Sequence, residues 1–297
     1  MKISFITAAY NRKYLLSNLF ESLCSLKGDY FEKEWVLVDD GSDDGTNELI
    51  DDLKKSSPFT IKYLYKENSG KQSSLNIAFK LIESDISCVI DSDDIIDDSC
   101  LLELKADIEK INFMNDKRLS TIIYHSKDTD GNLIGSPFPT NYHVGKPYTF
   151  YNQHLIKGDK FDFFKTAVLK KYEFPIFDSE KFIAESVLWN DIHQSYDAVF
   201  INKSLQIVSY LDSGYTKNAV KLRINNPKSA IYVNLKGFEL QTSYARKLRY
   251  CINYFRYKFH SKLFKFYKLE LSFVNLLFIV PSVIIGYVIY LKDLNYD

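Results

Sequence analysis

The acidic residues that follow the apolar run at positions 86–90 are the most informative feature of the sequence. Asp91, Asp93 and Asp94 place three carboxylates in four positions at the end of a predicted strand. Ligands bind at the carboxyl ends of strands in an open α/β sheet. Like charges this close repel one another, whereas Mg²⁺ or Mn²⁺ binds carboxylate and phosphate oxygens together. The pattern predicts a divalent metal site or, as the alternative, a solvated acidic turn.

Strands and helices alternate over the first hundred residues. Apolar runs predict strands at residues 3–8, 35–38, 61–65 and 86–90, and helical periodicity predicts helices at 14–26, 46–55 and 73–82. Alternation of this kind is typical of βαβ units. We therefore expect an α/β fold with a mostly parallel central sheet flanked by helices.

Three further polar segments follow predicted strands, at residues 7–12, 39–42 and 68–71. A parallel sheet would bring all three to the same edge as the acidic group. Asp39 can accept a hydrogen bond from a base or ribose, Gly70 permits close backbone approach, and Lys71 offers a cation to a phosphate. Together these segments indicate a binding site for a nucleotide diphosphate. The dinucleotide and P-loop glycine motifs are absent, which argues against a dehydrogenase or a P-loop enzyme.

The composition describes a foldable chain with an uneven distribution of charge. The 297 residues carry 38 basic and 38 acidic side chains, yet residues 244–268 hold eight basic residues and no acidic one. The four cysteines have no metal-ligand spacing, so we expect free, mostly buried thiols in a reducing compartment. The amino terminus lacks the pattern of a signal peptide, which predicts a catalytic part that stays in the cytosol.

The ordered motifs resemble the family 2 glycosyltransferases of GT-A fold. The resemblance covers about residues 1–105 and is carried by Thr-x-x-Tyr-Asn-Arg, Val-Asp-Asp-Gly-Ser-x-Asp-Gly-Thr, Asn-x-Gly-Lys-x-x-x-x-Asn and Asp-Ser-Asp-Asp. It implies an inverting enzyme of the hexosyltransferase type that uses a nucleotide-diphosphate sugar, most often a UDP-sugar, and Mn²⁺ or Mg²⁺. Asp91, Asp93 and Asp94 would bind the metal. The implied donor-binding residues are Thr7, Ala8, Ala9, Tyr10, Asn11, Asp39, Gly70, Lys71, Asp91, Ser92 and Asp93.

The same resemblance implies a catalytic base on a later helix. The matching stretch, residues 184–189, keeps one carboxylate, Glu185, and has Ser186 where an aspartate is usual. Glu185 is the expected base, Asp191 is the second candidate and Glu180 the third. In a segment like that of one bacterial branch, Asp159 is expected to bind donor-sugar hydroxyls or, alternatively, to cap a turn.

The carboxyl-terminal part differs in character from the rest. A basic, aromatic segment precedes residues 271–291, which contain 21 consecutive uncharged residues with Pro281 near the middle. The pattern favours helices associated with a membrane over helices packed only on the catalytic domain, and it leaves open whether the apolar run spans the bilayer or lies in one leaflet. Without a nucleic-acid motif, we expect no nucleic-acid partner.

Together these expectations assign a role to each part of the chain. Residues 1–105 would bind the nucleotide sugar, residues 106–235 would supply the base and bind the acceptor, and residues 236–297 would bind the cytoplasmic face of the membrane as a peripheral or monotopic anchor. The acceptor would be a lipid-linked glycan for capsule, O-antigen or a similar surface polysaccharide. A homodimer is possible on the aromatic surface. The alternative is an inactive nucleotide-sugar-binding scaffold, because Ser186 replaces an aspartate.

Overall fold

The computed structural model describes residues 1–209, 218–261 and 273–294, with side chains described from residue 279 onward in the last segment. The chain divides into two compact units. Unit 1 comprises Met1–Glu173 and Leu188–Leu211, and unit 2 comprises Phe174–Val187 and Asp212–Asp297.

A mixed sheet forms the centre of unit 1. Its strand order is β3-β2-β1-β4-β8-β6-β9-β5, and β7 pairs with β9. β1–β4 are parallel, β8 is inserted antiparallel between β4 and β6, and β6 and β9 are parallel. The strands are β1 (Lys2–Ala9), β2 (Glu32–Asp39), β3 (Thr60–Tyr65), β4 (Ile86–Val89), β5 (Ile95–Ile96), β6 (Leu119–Lys127), β7 (His143–Gly145), β8 (Lys160–Lys165) and β9 (Asp197–Ile207).

Helices connect the strands of unit 1. They are α1 (Lys13–Ser25), α2 (Thr46–Ser56), α3 (Lys71–Leu81), α4 (Cys100–Lys110), α5 (Pro147–His154), α6 (Thr166–Leu169) and the greater part of α7 (Ser186–Ser195). Each predicted strand and helix of the first hundred residues is present, with boundaries that differ by at most three residues. The prediction of an α/β fold with a central sheet flanked by helices is thereby confirmed. The sheet is mixed rather than mostly parallel, because four of the eight strand pairings among the described residues are antiparallel.

The parallel strands β1, β2 and β4 are buried on both faces, which explains why they are continuous apolar runs rather than alternating ones. Ile3 and Phe5 of β1 join a core with Leu16 and Leu19 of α1. Ile6, on the opposite face of β1, is also fully buried. This packing fixes the strands as a rigid platform, and the loops that leave their carboxyl ends inherit defined positions.

Unit 2 consists mainly of helices. α8 (Ala219–Asn225), α9 (Pro227–Leu240), α10 (Tyr244–Ser261) and α11 (Phe273–Asp293) follow one another along the chain. Ile231 of α9 shares a core with Cys251 and Phe255 of α10 and with Ile279 and Val283 of α11.

The sequence features of the carboxyl-terminal part are described only in part. Lys262, Lys265 and Lys268 of the basic segment and the first two residues of the apolar run lie outside the described residues. Within the described residues, no helix is both long and apolar enough to cross a membrane. All four cysteines are free, and Cys88, Cys100 and Cys251 are buried, as expected.

Candidate functional site

The carboxyl ends of β1, β2 and β3 are in register, so the loops that follow them begin at one edge of the sheet. Ala9 pairs with Asp39, and Asp39 pairs with Tyr65. The pairing extends past the strands, because the Asp40 N–H donates to the Ala9 carbonyl at 2.8 Å and the Ile90 N–H donates to the Ile6 carbonyl at 2.9 Å. The four polar segments predicted to form one site are therefore brought together.

The loops after β1 and β2 are joined by reciprocal hydrogen bonds. The Asn11 N–H donates to Ser42 Oγ at 2.9 Å, and the Asp43 N–H donates to Asn11 Oδ1 at 3.0 Å. Asn11 adopts a left-handed conformation with φ 51°, which asparagine tolerates better than most residues. Asn11, predicted to contact the donor, thus has its side-chain oxygen engaged in holding the next loop.

Asp39 is a buried acceptor at the end of β2. Its Oδ1 accepts from the Ser42 N–H at 2.8 Å, and its Oδ2 accepts from the Tyr63 hydroxyl at 2.7 Å. Burial and this bond to a carboxylate raise the pKa of Tyr63, so the phenol remains a donor. Each carboxylate oxygen can accept a second hydrogen bond. Asp39 is therefore held in a fixed orientation and keeps acceptor capacity for a ligand N–H or O–H.

Asp40, which sequence reasoning did not assign to the site, holds the loop before α3. Its carboxylate accepts from the Ser69 N–H at 3.0 Å and from the Gly70 N–H at 2.8 Å. Lys66 Nζ pairs with the same group at 2.5 Å. The sequence shows two adjacent aspartates. It does not show that Asp40 is the one whose carboxylate turns inward towards residues 66–70.

Gly41 allows the second and third loops to pack closely. Its φ of 90° is strained for other residues, and a Cβ at this position would lie 2.8 Å from the Asn68 backbone nitrogen. Together with Asp40, this contact sets where α3 begins, and hence where Lys71 stands.

Lys71 and the acidic group meet in the structure. Lys71 Nζ lies 2.5 Å from Asp91 Oδ1, and Asp91 is the more exposed partner of the pair. Burial raises the pKa of Asp93, and the negative charge of Asp91 raises it further. The positive charges of Arg12 and Lys71 partly offset this rise in pKa. Burial and the charges of Asp91 and Asp93 raise the pKa of Asp94 to about 8. The cluster has a deficit of positive charge that an added cation would relieve.

Gln206 is a second residue that sequence reasoning missed. Its Nε2 donates to Asp94 Oδ2 at 2.6 Å, and its Oε1 accepts from Ser126 Oγ at 2.7 Å. The short strand β5, which follows Asp94, pairs with β9 at Ile96 and Gln206. The acidic loop is thus fixed by β4 before it and by β9 after it. No signal in the sequence links Gln206 to Asp94, which lies 112 positions away.

The acidic group suits a divalent cation in the type of its oxygen atoms. Among the described residues, however, no three His, Cys, Asp or Glu side chains converge as ligands of one metal ion. Asp94 is turned towards Gln206, whereas Asp91 and Asp93 are less buried. The three-carboxylate metal set stays a prediction.

Asp159 lies within electrostatic range of this cluster, because its charge contributes to the raised pKa of Asp94. A tight crossing of two chain segments positions it. The Ser136 N–H donates to the Lys157 carbonyl at 3.2 Å. Gly158 has φ 83°, and a Cβ there would lie 2.3 Å from the Ile134 carbonyl oxygen. The segment around Asp159 is thereby fixed by backbone contacts.

The remaining predicted donor residues differ in exposure. Thr7 is fully buried, and its hydroxyl accepts from Trp35 Nε1 at 3.0 Å. Ala9 and Ser92 are buried, Ala8 is half-buried and Tyr10 is exposed. Of these side chains, Tyr10 is therefore the most accessible to a ligand, while Thr7 supports the strand beneath the site.

The three candidate bases have different surroundings. Glu185 belongs to unit 2 and lies immediately before α7, which begins at Ser186. Glu185 therefore lies one residue outside the helix that was predicted to carry it. Asp191, in unit 1, accepts from Gln194 Nε2 at 3.0 Å. Glu180 accepts from the Lys228 and Ser229 N–H groups at 2.6 and 2.7 Å, so it caps the start of α9. Glu180 is thereby occupied in a structural role.

His193, the histidine closest in sequence to Glu185, is buried. Burial lowers its pKa to about 4, so the ring is neutral at neutral pH. The Trp189 ring on the same helix stacks on Phe164 of β8 with centroids 4.8 Å apart. Both residues support the packing of α7 in unit 1.

Part of the chain is similar in sequence to curated proteins. A poly-beta-1,6-N-acetyl-D-glucosamine synthase of Staphylococcus epidermidis is 35% identical over 108 residues, which are 36% of this chain and 26% of the relative. An uncharacterized glycosyltransferase of Mycoplasma pneumoniae is 35% identical over 115 residues, or 38% of each chain. The chain thus spans about a quarter to two fifths of the length of these curated relatives.

Solved structures share the fold over a greater length. Residues 1–349 of Staphylococcus aureus TarS, in complex with UDP-GlcNAc, match with a TM-score of 0.64 and 18% identity over 95% of this chain and 79% of that chain. The mannosyltransferase PcManGT from Pyrobaculum calidifontis, in complex with GDP-Man and Mn²⁺, matches with a TM-score of 0.57 and 16% identity over 98% and 87%.

The family model described as glycosyl transferase family 2 matches residues 4–171. This region contains all four loops of the site and Asp159. Since the match covers more than half of the chain, the chain belongs to glycosyl transferase family 2, and its fold is the GT-A fold.

Proposed function

We propose that the chain transfers a sugar from a nucleotide-diphosphate donor, with UDP as the nucleotide, to a hydroxyl of a glycan acceptor with inversion. The observation that carries the proposal is the convergence of Asp39, Lys71 and the acidic group at one edge of the sheet. Relatives named as polysaccharide synthases and a structural neighbour in complex with UDP-GlcNAc support this class of donor.

The donor site divides its work between recognition and charge. Asp39 accepts from the base or ribose, and the backbone at Gly70 lets the ligand approach closely. Lys71 is paired with Asp91 in the structure. A bound diphosphate adds negative charge next to this pair, so Lys71 can interact with both groups. Its ammonium then stabilises charge that develops on the leaving diphosphate.

A divalent cation completes the charge balance in this proposal. Asp91 and Asp93 would hold Mn²⁺ or Mg²⁺, with diphosphate oxygens and water as the other ligands, because these cations keep several non-protein ligands. Bound there, the metal supplies electrostatic stabilisation of the leaving group. Asp94 accepts a hydrogen bond from Gln206, which would orient the loop that carries the other two carboxylates.

The base of the reaction is Glu185 in this proposal, with Asp191 as the alternative. The carboxylate takes the proton of the acceptor hydroxyl as that oxygen forms a bond to the anomeric carbon. The bond from the anomeric carbon to the diphosphate oxygen breaks, and the nucleotide diphosphate leaves with its electron pair. Attack from the face opposite the leaving group inverts the anomeric centre.

The proposed acceptor is a lipid-linked glycan on the pathway to capsule, O-antigen or a similar surface polysaccharide. Its support is the name of the staphylococcal relatives and the apolar carboxyl-terminal segment. Asp159, close to the acidic group, is proposed to bind hydroxyls of the donor sugar.

A transfer assay with purified full-length protein tests the proposal. UDP-sugars are supplied with Mn²⁺ and membrane-extracted glycan acceptors, and Glu185→Gln is compared with Asp191→Asn. We expect Glu185→Gln to lower kcat by about 100-fold to 10,000-fold and to leave nucleotide affinity unchanged, because general base catalysis is worth that much.

The two variants distinguish Glu185 from Asp191 as the catalytic base. Loss in Asp191→Asn alone would assign the base to Asp191. A wild-type protein that binds nucleotide but shows no turnover with any UDP-sugar would contradict transfer and support the inactive scaffold, for which Ser186 is the motivation.

A further inference from the structure

Among the described residues, α11, the last helix of unit 2, has one apolar face packed against α10 and a second apolar face with exposed side chains. Ile279, Val283 and Gly286 face α10, where a Cβ at Gly286 would lie 2.8 Å from the Ile252 carbonyl oxygen. Ser282, on the same side, is fully buried. The helix is therefore attached to the rest of unit 2 along one side.

The attachment includes a buried ion pair. Arg256 Nε and His260 Nε2 lie 2.6 and 2.9 Å from Asp293 Oδ2. The Phe259 ring contacts Tyr290 with centroids 5.7 Å apart. Since Gly286 lies beside residues 252–256 and Asp293 beside residues 256–260, the two helices run side by side in the same direction. They behave as one packed pair.

The opposite face of α11 is exposed and apolar. Val280 and Ile284 are 65% and 61% exposed, and Val288 and Leu291 are each more than 40% exposed. These positions recur at the spacing of a single helical face. We define them as the α11 stripe. A contiguous exposed apolar surface of this kind marks an interaction site.

The neighbouring helix is strongly basic. α10 contains five basic residues, Arg246, Lys247, Arg249, Arg256 and Lys258, and no acidic residue. Arg249 is exposed on α10, and Lys292 is exposed next to the end of the α11 stripe. An apolar stripe beside basic side chains matches the acyl boundary and the anionic headgroups of a lipid leaflet.

We propose that the α11 stripe inserts into one leaflet of an anionic bilayer, with α11 lying in the plane of the membrane and α10 in the headgroup layer. α10 is packed along α11, and its charge would be costly to bring into hydrocarbon. The pair can therefore enter the interface but not the bilayer core. The observations that carry this proposal are independent of the donor chemistry.

A second copy of the chain is the competing occupant of the stripe. A two-fold interface over α11 would place two copies of the same surface against each other. It would bring the two basic α10 helices close together, where their like charges repel. An anionic lipid surface meets the same charge with attraction, which is why we commit to the bilayer.

Vesicle co-sedimentation of the full-length protein tests the proposal. We expect binding to vesicles rich in phosphatidylglycerol and a loss of about 100-fold in the double variant Ile284→Asp/Val288→Asp, because two side chains leave the acyl boundary. Arg249→Gln and Lys292→Gln should each weaken binding about five-fold, and only when anionic lipid is present. The matched control is Leu102→Asp, an exposed leucine of α4 in unit 1, which should bind as wild type.

A depth measurement distinguishes an in-plane helix from a spanning one. Val280→Trp, Ile284→Trp and Leu291→Trp are compared by quenching with lipids brominated at shallow or deep acyl positions. We expect the same shallow depth for all three. The two native tryptophans, the fully buried Trp35 and the half-buried Trp189, both lie in unit 1 and supply a constant background.

Three results would overturn the proposal. The first is deep quenching of Ile284→Trp with shallower quenching of Val280→Trp and Leu291→Trp. The second is a wild-type protein that does not bind vesicles. The third is a dimer that Ile284→Asp dissociates, in a protein without any vesicle binding. Nucleotide-induced thermal stabilisation, measured in parallel, shows whether the donor site is intact in each variant. Failure of membrane binding is thereby separated from failure of the proposed transfer reaction.

Discussion

At the scale of single residues, adjacent carboxylates have different tasks. Asp39 presents a fixed acceptor at the end of β2, whereas Asp40 turns inward to residues 66–70. The sequence motif located both residues at the end of a strand. It could not divide their roles, because the direction of the Asp40 side chain depends on a loop that begins 26 positions later.

Replacing Asp40 by asparagine should weaken both the fold and the donor site. The substitution removes a buried charge that pairs with Lys66 and holds the loop before Lys71. Breaking one partner of a buried pair costs about 3 kcal/mol. We expect a lower free energy of unfolding in urea and a nucleotide Kd raised about tenfold.

The matched control for this substitution is Asp43→Asn, which changes an exposed aspartate of the same loop. It should unfold and bind nucleotide as wild type does. Equal stability and nucleotide affinity in Asp40→Asn and wild type would show that Asp40 does not position the loop.

At the scale of elements, periodicity located the first four strands and three helices because each is a local pattern of buried positions. The antiparallel insertion of β8 between β4 and β6 was not predictable in this way. It depends on pairing between residues about 75 positions apart, such as Cys88 and Phe163. The contact of β9 with Asp94, through Gln206, escaped prediction for the same reason.

The buried His193 on α7 should make stability depend on pH. Its pKa of about 4 in the folded protein lies below the ordinary value of 6.5. Because the unfolded chain binds the proton first as pH falls, this group's contribution to stability is complete above pH 6.5 and is lost between pH 6.5 and 4. The loss by pH 4.5 is roughly 2 kcal/mol.

The effect is measured by urea unfolding at pH 7 and pH 4.5, as the difference in free energy of unfolding between wild type and His193→Gln. The difference should change by roughly 2 kcal/mol between the two pH values. His154→Gln, at an exposed histidine of α5, is the control and should follow wild type. A difference between wild type and His193→Gln that is the same at both pH values would contradict the depressed pKa.

At the scale of the whole molecule, the two units differ in how far the sequence specified them. In unit 1 the order of four motifs, each at the end of a strand, was sufficient to predict the parallel strands β1–β4 and the meeting of their loops at one edge of the sheet. In unit 2 the apolar run predicted a helix, but composition alone could not show that one face packs on α10 while the other is exposed. That division depends on tertiary contacts such as the pair of Arg256 and Asp293.

We propose that the acidic loop after β4 binds a nucleotide diphosphate together with a divalent metal. Isothermal titration of UDP, GDP, CDP and dTDP into the full-length protein, with and without Mn²⁺, tests it most directly. Asp93→Asn is the test variant. Asp98→Asn, at an aspartate that pairs with Lys27 instead, is the control.

We predict tight binding of UDP only with Mn²⁺, lost in Asp93→Asn and retained in Asp98→Asn. At a UDP concentration of about 100 times Kd, the same binding should stabilise the folded protein by about 2.7 kcal/mol. No binding of any of the four nucleotides, or UDP binding that is equal without metal and unchanged in Asp93→Asn, would contradict the account.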